Sequence, residues 1–221
     1  MQDAGAHTRT VVIEESDRHP QAVSTWPERF RWLLLMPLVL TPPYLVSNHL
    51  TWQPASAIPM TDVDRWVPVG PQWTLAYLML FPLMWAAVLS QARSGGSRQV
   101  VLSFTAAALT ASLVFVLWPT SYARPGWTAD GLYGWVVWLD TERNACPSLH
   151  GAFSVLGAWW LGRSGLGRSV AVVGWAMAGL ILVATIGVRQ HGVIDLGGGM
   201  LLGVVVAAIW HRIWPAADHC P

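Results

Sequence analysis

Two short runs carry most of the chemistry in this chain: Cys146-Pro147-Ser148-Leu149-His150, and Arg189-Gln190-His191 followed by Asp195. His191 and Asp195 are four residues apart, so on a helix starting near Arg189 they share one face, where the carboxylate can accept from one ring nitrogen. The other nitrogen is left basic. A carboxylate-oriented imidazole of this kind has a fixed tautomer and a stabilised cation. It can attack phosphorus covalently, dividing one hard displacement into two. His150 is then the candidate general acid for the leaving oxygen. Arg124 and Arg189 match phosphate oxygens with paired charge-assisted bonds, Ser148 offers a hydroxyl, and the amides around Leu149 open a helix whose N-terminus favours an anion.

Blander readings use the same residues. His150, His191 and Asp195 are possible zinc ligands, but no His-Glu-x-x-His pattern exists and two neighbouring arginines repel a cation; the expectation is no metal and no cofactor. Ser148 is a favoured helix cap, the arginines suit lipid head-group anchoring, and one His-x-x-x-Asp is unspecific by itself. The combination, with both motifs and Arg124 on one membrane face, is what favours catalysis. Asp62, Asp64 and Arg65 read as solvated loop charges and stay outside the site. Asp140, Glu142, Arg143 and Asn144 precede the second motif and are candidates for selecting a leaving group or acceptor. Cys146 reads as an inert packed thiol.

The elements that must position these groups are apolar helices. The chain has 221 residues, 53% hydrophobic and 11% charged, against about 25% charged in soluble domains. There is no lysine, all thirteen basic residues are arginine, and the formal charge is +1, which argues against a nucleic-acid partner. A hydrocarbon core of about 30 Å needs roughly 20 residues of helix. Six stretches answer that description, at 30–46, 72–90, 99–118, 149–161, 169–188 and 193–214, so the expected fold is all-α, a six-helix polytopic membrane bundle. Pro37, Pro42 and Pro43 predict a first span that kinks or ends early. Residues 131–140 are too short to span and too apolar for water, which predicts an interfacial helix in the outer loop between the third and fourth spans.

Arginine sets the orientation. With the N-terminus inside, nine arginines are cytoplasmic and Arg65, Arg124, Arg143 and Arg189 face outward. Both motifs then lie at the outer face, with the N- and C-termini cytoplasmic, in a bacterial plasma membrane or an internal membrane with a lumenal site. Residues 1–29 read as a polar cytosolic tail rather than a signal peptide, residues 30–214 as the membrane catalytic domain and 215–221 as a second tail. Cys146 and Cys220 fall on opposite faces, so no disulfide joins them. Gly199 and Gly203 have the small-xxx-small spacing of close helix packing.

Pro147-Ser148-Leu149-His150 and His191-Gly-Val-Ile-Asp195, on spans in this order, resemble the type-2 phosphatidic acid phosphatase superfamily over roughly residues 70–212. The resemblance implies a metal-free phosphohistidine mechanism. Leu117 stands where that family's first motif has a lysine, and Ala184 and Thr185 stand where its third motif has Ser-Arg; Arg189 is a candidate replacement. With Pro119-Thr120 before Arg124, the pattern is more similar to the branch containing inositol phosphorylceramide synthases. The expected activity is hydrolysis of a lipid phosphate or diphosphate. Transfer of the phospho group to an alcohol such as inositol is the alternative, and a non-catalytic lipid-phosphate binder is the third reading.

Overall fold

The computed structural model describes residues 22–50, 52–124, 131–140 and 142–215. The expectations for the tail before residue 22, for Pro125 of the first motif, and for His219 and Cys220 lie outside the described residues. The chain is mostly helical, and among the described residues five stretches are long and apolar enough to cross a membrane: Trp26–His49, Pro71–Leu89, Gly96–Leu117, Arg168–Gly187 and Val193–Ile213.

Helix α1 spans Trp26–His49. Thr25 caps its start, Oγ1 accepting from the Glu28 amide, and Pro27 sits in the first turn, where its missing N–H costs nothing. Of the two outcomes expected for this span, a kink or an early end, the early end is not found, because helical structure continues through Pro37, Pro42 and Pro43. Packing along α5 supplies the restraint that local propensity lacks. Beyond α1, the two-residue strand β1 (Ser56–Ala57) leads to a short helix α2 (Asp62–Trp66).

The second apolar stretch is broken. A 3-10 turn at Pro71–Trp73 precedes α3 (Thr74–Leu78) and α4 (Leu80–Leu89). Pro82 explains the interruption, since its ring displaces the carbonyl four residues back, at Leu78, and it donates no hydrogen bond. Helix α5 (Gly96–Leu117) follows, and then strand β2 (Thr120–Ser121) pairs in parallel with β1, Ser56 opposite Thr120 and Ala57 opposite Ser121. That small pairing ties two distant loops into one layer. Helix α6 (Gly131–Leu139) turns Tyr133 and Val136 inward and leaves Trp135 and Trp138 exposed.

The remaining helices are α7 (Leu149–Gly162), α8 (Arg168–Gly187) and α9 (Val193–Ile213). At 1.5 Å per residue, the 14 residues of α7 extend about 21 Å, short of a hydrocarbon core. It is also the central helix, buried almost throughout and packed on α4, α5, α8 and α9. Leu34, Leu75, Leu113, Val172 and Leu201 stay exposed on the surrounding helices, an apolar outer surface suited to lipid.

Helices α7 and α9 meet through glycines. A Cβ built on Gly199 would collide with the Ser148 carbonyl, one on Gly203 would stand 2.7 Å from the Ala152 carbonyl, and one on Gly151 would stand 2.8 Å from that of Leu196. The spacing of Gly199 and Gly203 does serve close packing. Its consequence is local to the chemistry: the first turn of α7 lies directly on the first turn of α9.

Candidate active site

At the start of α9, His191 Nδ1 lies 2.7 Å from Asp195 Oδ2, with Asp195 wholly buried and His191 nearly so. The pair forms by a route other than the expected one. The helix begins at Val193, not Arg189, so His191 precedes the Gly192 cap and shares no helical face with Asp195. Asp195 is the third residue of the helix and folds back, Oδ1 accepting from the Gly192 amide at 2.8 Å while Oδ2 takes the imidazole. A capping carboxylate thereby also orients the ring.

Arg189 closes α8. Its amide donates to the Ile186 carbonyl at 3.0 Å and the Gln190 amide donates to that of Thr185 at 3.3 Å, the two bonds of a Schellman ending. The residue in the left-handed position of that motif is ordinarily glycine; here Arg189 takes it, at φ 57°. Its side chain is buried, and Nη1 donates to the Tyr122 hydroxyl at 3.4 Å. Burial raises the Tyr122 phenol above its ordinary range, the Arg189 hydrogen bond pulling the other way.

His150 enters from α7. Its ring centroid is 6.0 Å from that of His191, and its other neighbour is Tyr77, stacked at 4.1 Å. His150 Nε2 is buried with no hydrogen-bond partner among the described residues. Ser148 caps α7, Oγ accepting from the Gly151 amide at 3.3 Å, and its own amide donates to the Asp195 carbonyl at 3.0 Å. Its capping role is therefore realised, and its hydroxyl proton remains free to donate. The Leu149 and His150 amides, at the first positions of the helix, have no acceptor among the described residues. Together with the Nε2 of His150, they make this helix end receptive to an anion.

Arg124 sits in a neighbouring cluster. It donates from Nη1 to the Asp140 carbonyl at 2.6 Å and its Nη2 lies 3.5 Å from the Asp140 carboxylate, which also takes a hydrogen bond from the Tyr44 hydroxyl. Asp140 follows α6, which packs on α3, the helix carrying Tyr77. Glu142 and Arg143 instead line a separate cavity of about 530 Å³ with His49 and Ser121. Cys146 packs near Gly198, and burial pushes its thiol up, Asp195 adding to the effect. Leu117 is exposed on α5, and Ala184 and Thr185 are fully buried in α8.

Asp64 requires a correction. Asp62 and Arg65 do form an exposed ion pair, as solvated loop charges would, but Asp64 between them is wholly buried. Its Oδ2 accepts from the Thr61 amide at 2.6 Å and the Thr61 hydroxyl at 2.8 Å, while Oδ1 accepts from the Val193 amide at 2.7 Å. The Thr61-x-x-Asp64 spacing is a capping-box signature and was the available signal for an ordered aspartate; nothing local points to Val193. Gln190 was also missed as a site residue. It is 2% exposed beside His191, and neither end of its amide has a partner among the described residues.

Fold and site define a helical bundle of membrane type in which a buried carboxylate-imidazole pair faces a second, unpaired imidazole. Compared with known proteins, the chain matches no family model, no curated protein and no solved structure.

Proposed function

We propose that this protein is an integral membrane phosphohydrolase that cleaves a lipid phosphate or diphosphate through a phosphohistidine. The observation that carries the reading is the Asp195-His191 pair at 2.7 Å facing, at 6.0 Å between ring centres, a His150 whose Nε2 has no partner among the described residues. A buried polar atom left unpaired costs about 1–3 kcal/mol, and a transferring phosphoryl group between the rings would supply its partner. In this reading α7 is the short sixth span, α6 lies in the outer interface, and the site opens to the outer face of the membrane.

With Asp195 holding the proton on Nδ1, the lone pair of His191 Nε2 attacks phosphorus. The P–N bond forms, the P–O bond to the lipid breaks, and the departing oxygen takes the proton carried by His150. Neutral His150 then removes a proton from water as that oxygen attacks phosphorus, the P–N bond breaks, and phosphate leaves. Arg189, two residues from His191, and the free amides of Leu149 and His150 stabilise charge on the non-bridging oxygens. Arg124 is already engaged by Asp140 and acts on the leaving-group side.

The test is turnover of a phosphorus-labelled lipid phosphate in detergent micelles. Wild-type protein is expected to release labelled phosphate with chelator present and to hold an acid-labile, base-stable phosphoenzyme; His191→Ala loses both. Full turnover in His191→Ala refutes the mechanism. Label passing into a new lipid only when a polyol is added assigns transfer instead, and phosphate-dependent binding with no phosphoenzyme assigns a binder.

A further inference from the structure

We propose that Asp64 is a positioning residue for the His191 nucleophile, acting through the Val193 amide; this rests on the reading of His191 given above. Two carboxylates terminate the same helix. Asp195 takes the Gly192 amide and the His191 ring, and Asp64 takes the next amide, Val193, at 2.7 Å. Asp195 belongs to α9 and moves with it. Asp64 does not: it is fixed to α2 by the Thr61 amide and hydroxyl, so it anchors the start of α9 to the loop that follows α1.

The surroundings leave little slack. A Cβ on Gly192 would lie 3.1 Å from Asp64 Oδ1 and 2.6 Å from the Tyr122 ring, so the turn carrying His191 is pressed between α2 and the residue following β2. Arg189, just before that turn in the chain, reaches the same Tyr122. The two carboxylates also occupy the first two amides at the start of α9, those of Gly192 and Val193.

Three variants separate positioning from general structural support. Asp64→Ala removes the acceptor. Asp64→Asn keeps an oxygen for Val193 but sets its amide nitrogen against the Thr61 N–H, so it retains the contact to α9 and weakens the tie to Thr61. Val193→Pro removes the donor at the first helical position, where proline is well tolerated, after a Gly192 already extended at ψ −179° as a residue before proline requires. Misplacing a nucleophile by about 1 Å costs on the order of 100-fold. Asp64→Ala and Val193→Pro are therefore expected to lose about that factor in kcat on labelled lipid phosphate with KM little changed, and Asp64→Asn to lose less than Asp64→Ala. Nitrogen-15 histidine NMR in detergent supplies the second measurement. The downfield Nδ1 proton of the His191-Asp195 bond should persist in wild type and Asp64→Asn and be lost or exchange-broadened in the other two. If wild type makes no phosphoenzyme, the functional reading fails while the NMR comparison still decides positioning. Val193→Pro with wild-type kcat, or with an unchanged His191 signal, overturns the proposal.

Discussion

Replacing Arg189 by glycine sets a backbone effect against a catalytic one at a single position. Arg189 holds φ 57° at the end of α8, a conformation that costs an L-residue about 1–2 kcal/mol and costs glycine little. The substitution also removes the hydrogen bond to Tyr122, which at 3.4 Å is long and belongs near the lower end of the roughly 0.5–1.5 kcal/mol range. These opposed terms leave stability within about 1 kcal/mol of wild type, a melting shift within about 4 °C for a chain of this size. Turnover has no such compensation. Removing a preorganised donor to developing charge costs about 2.7–4 kcal/mol, or roughly 100- to 1000-fold. Arg189→Ala makes the comparison sharper, because it removes the same guanidinium and keeps the left-handed backbone; it should melt below Arg189→Gly by the equivalent of about 1 kcal/mol and be as inactive. Tryptophan-fluorescence melts and phosphate release on all three proteins test this. Equal stability of the glycine and alanine variants would refute the strain argument, and turnover within about tenfold of wild type in Arg189→Gly would refute the clamp.

Two further outcomes follow from packing and burial. Gly199→Ala places a methyl against the Ser148 carbonyl and should destabilise by about 1–3 kcal/mol while lowering turnover, because α7 and α9 are forced apart at the histidines; Gly197→Ala, with nothing within 4 Å of its Cβ, should gain about 0.5–1 kcal/mol and keep activity. Equal effects of the two on thermal melts would contradict the close approach. Gln190→Leu replaces a buried amide with no partner among the described residues by an apolar group and should raise stability by about 1–3 kcal/mol while slowing phosphate release, Gln190 adjoining His191 in the chain. A loss of stability would mean that the amide is already paired by solvent.

The helices were legible because their signal is compositional. Long apolar runs gave stretches at 99–118, 169–188 and 193–214 that match α5, α8 and α9 to within three residues at either end. Proline was legible in only one direction. Pro82 divides its stretch as local sterics require, whereas the three prolines of α1 are overridden by packing along α5. The tight capping of Asp195 was half visible: its distance from His191 in sequence was right and the stretch at 193–214 begins where α9 does, but the shared helical face, which needed a start near Arg189, is not how the two residues meet.

Sequence alone determined the apolar helical character of the chain and which residue types are available for phosphate chemistry, since both follow from composition and local spacing. Tertiary structure decided their states. Ser148 caps a helix, Arg124 is engaged by Asp140, the His150 ring stacks on Tyr77 with its Nε2 unpaired among the described residues, and Asp64 passes from an expected solvated charge to a buried partner of α9. Each of those outcomes depends on contacts between segments remote in the chain, from the 129 residues separating Asp64 and Val193 to the close approach of α7 on α9. Burial turns such contacts into requirements, because a polar group removed from water must find its partner wherever the fold places one.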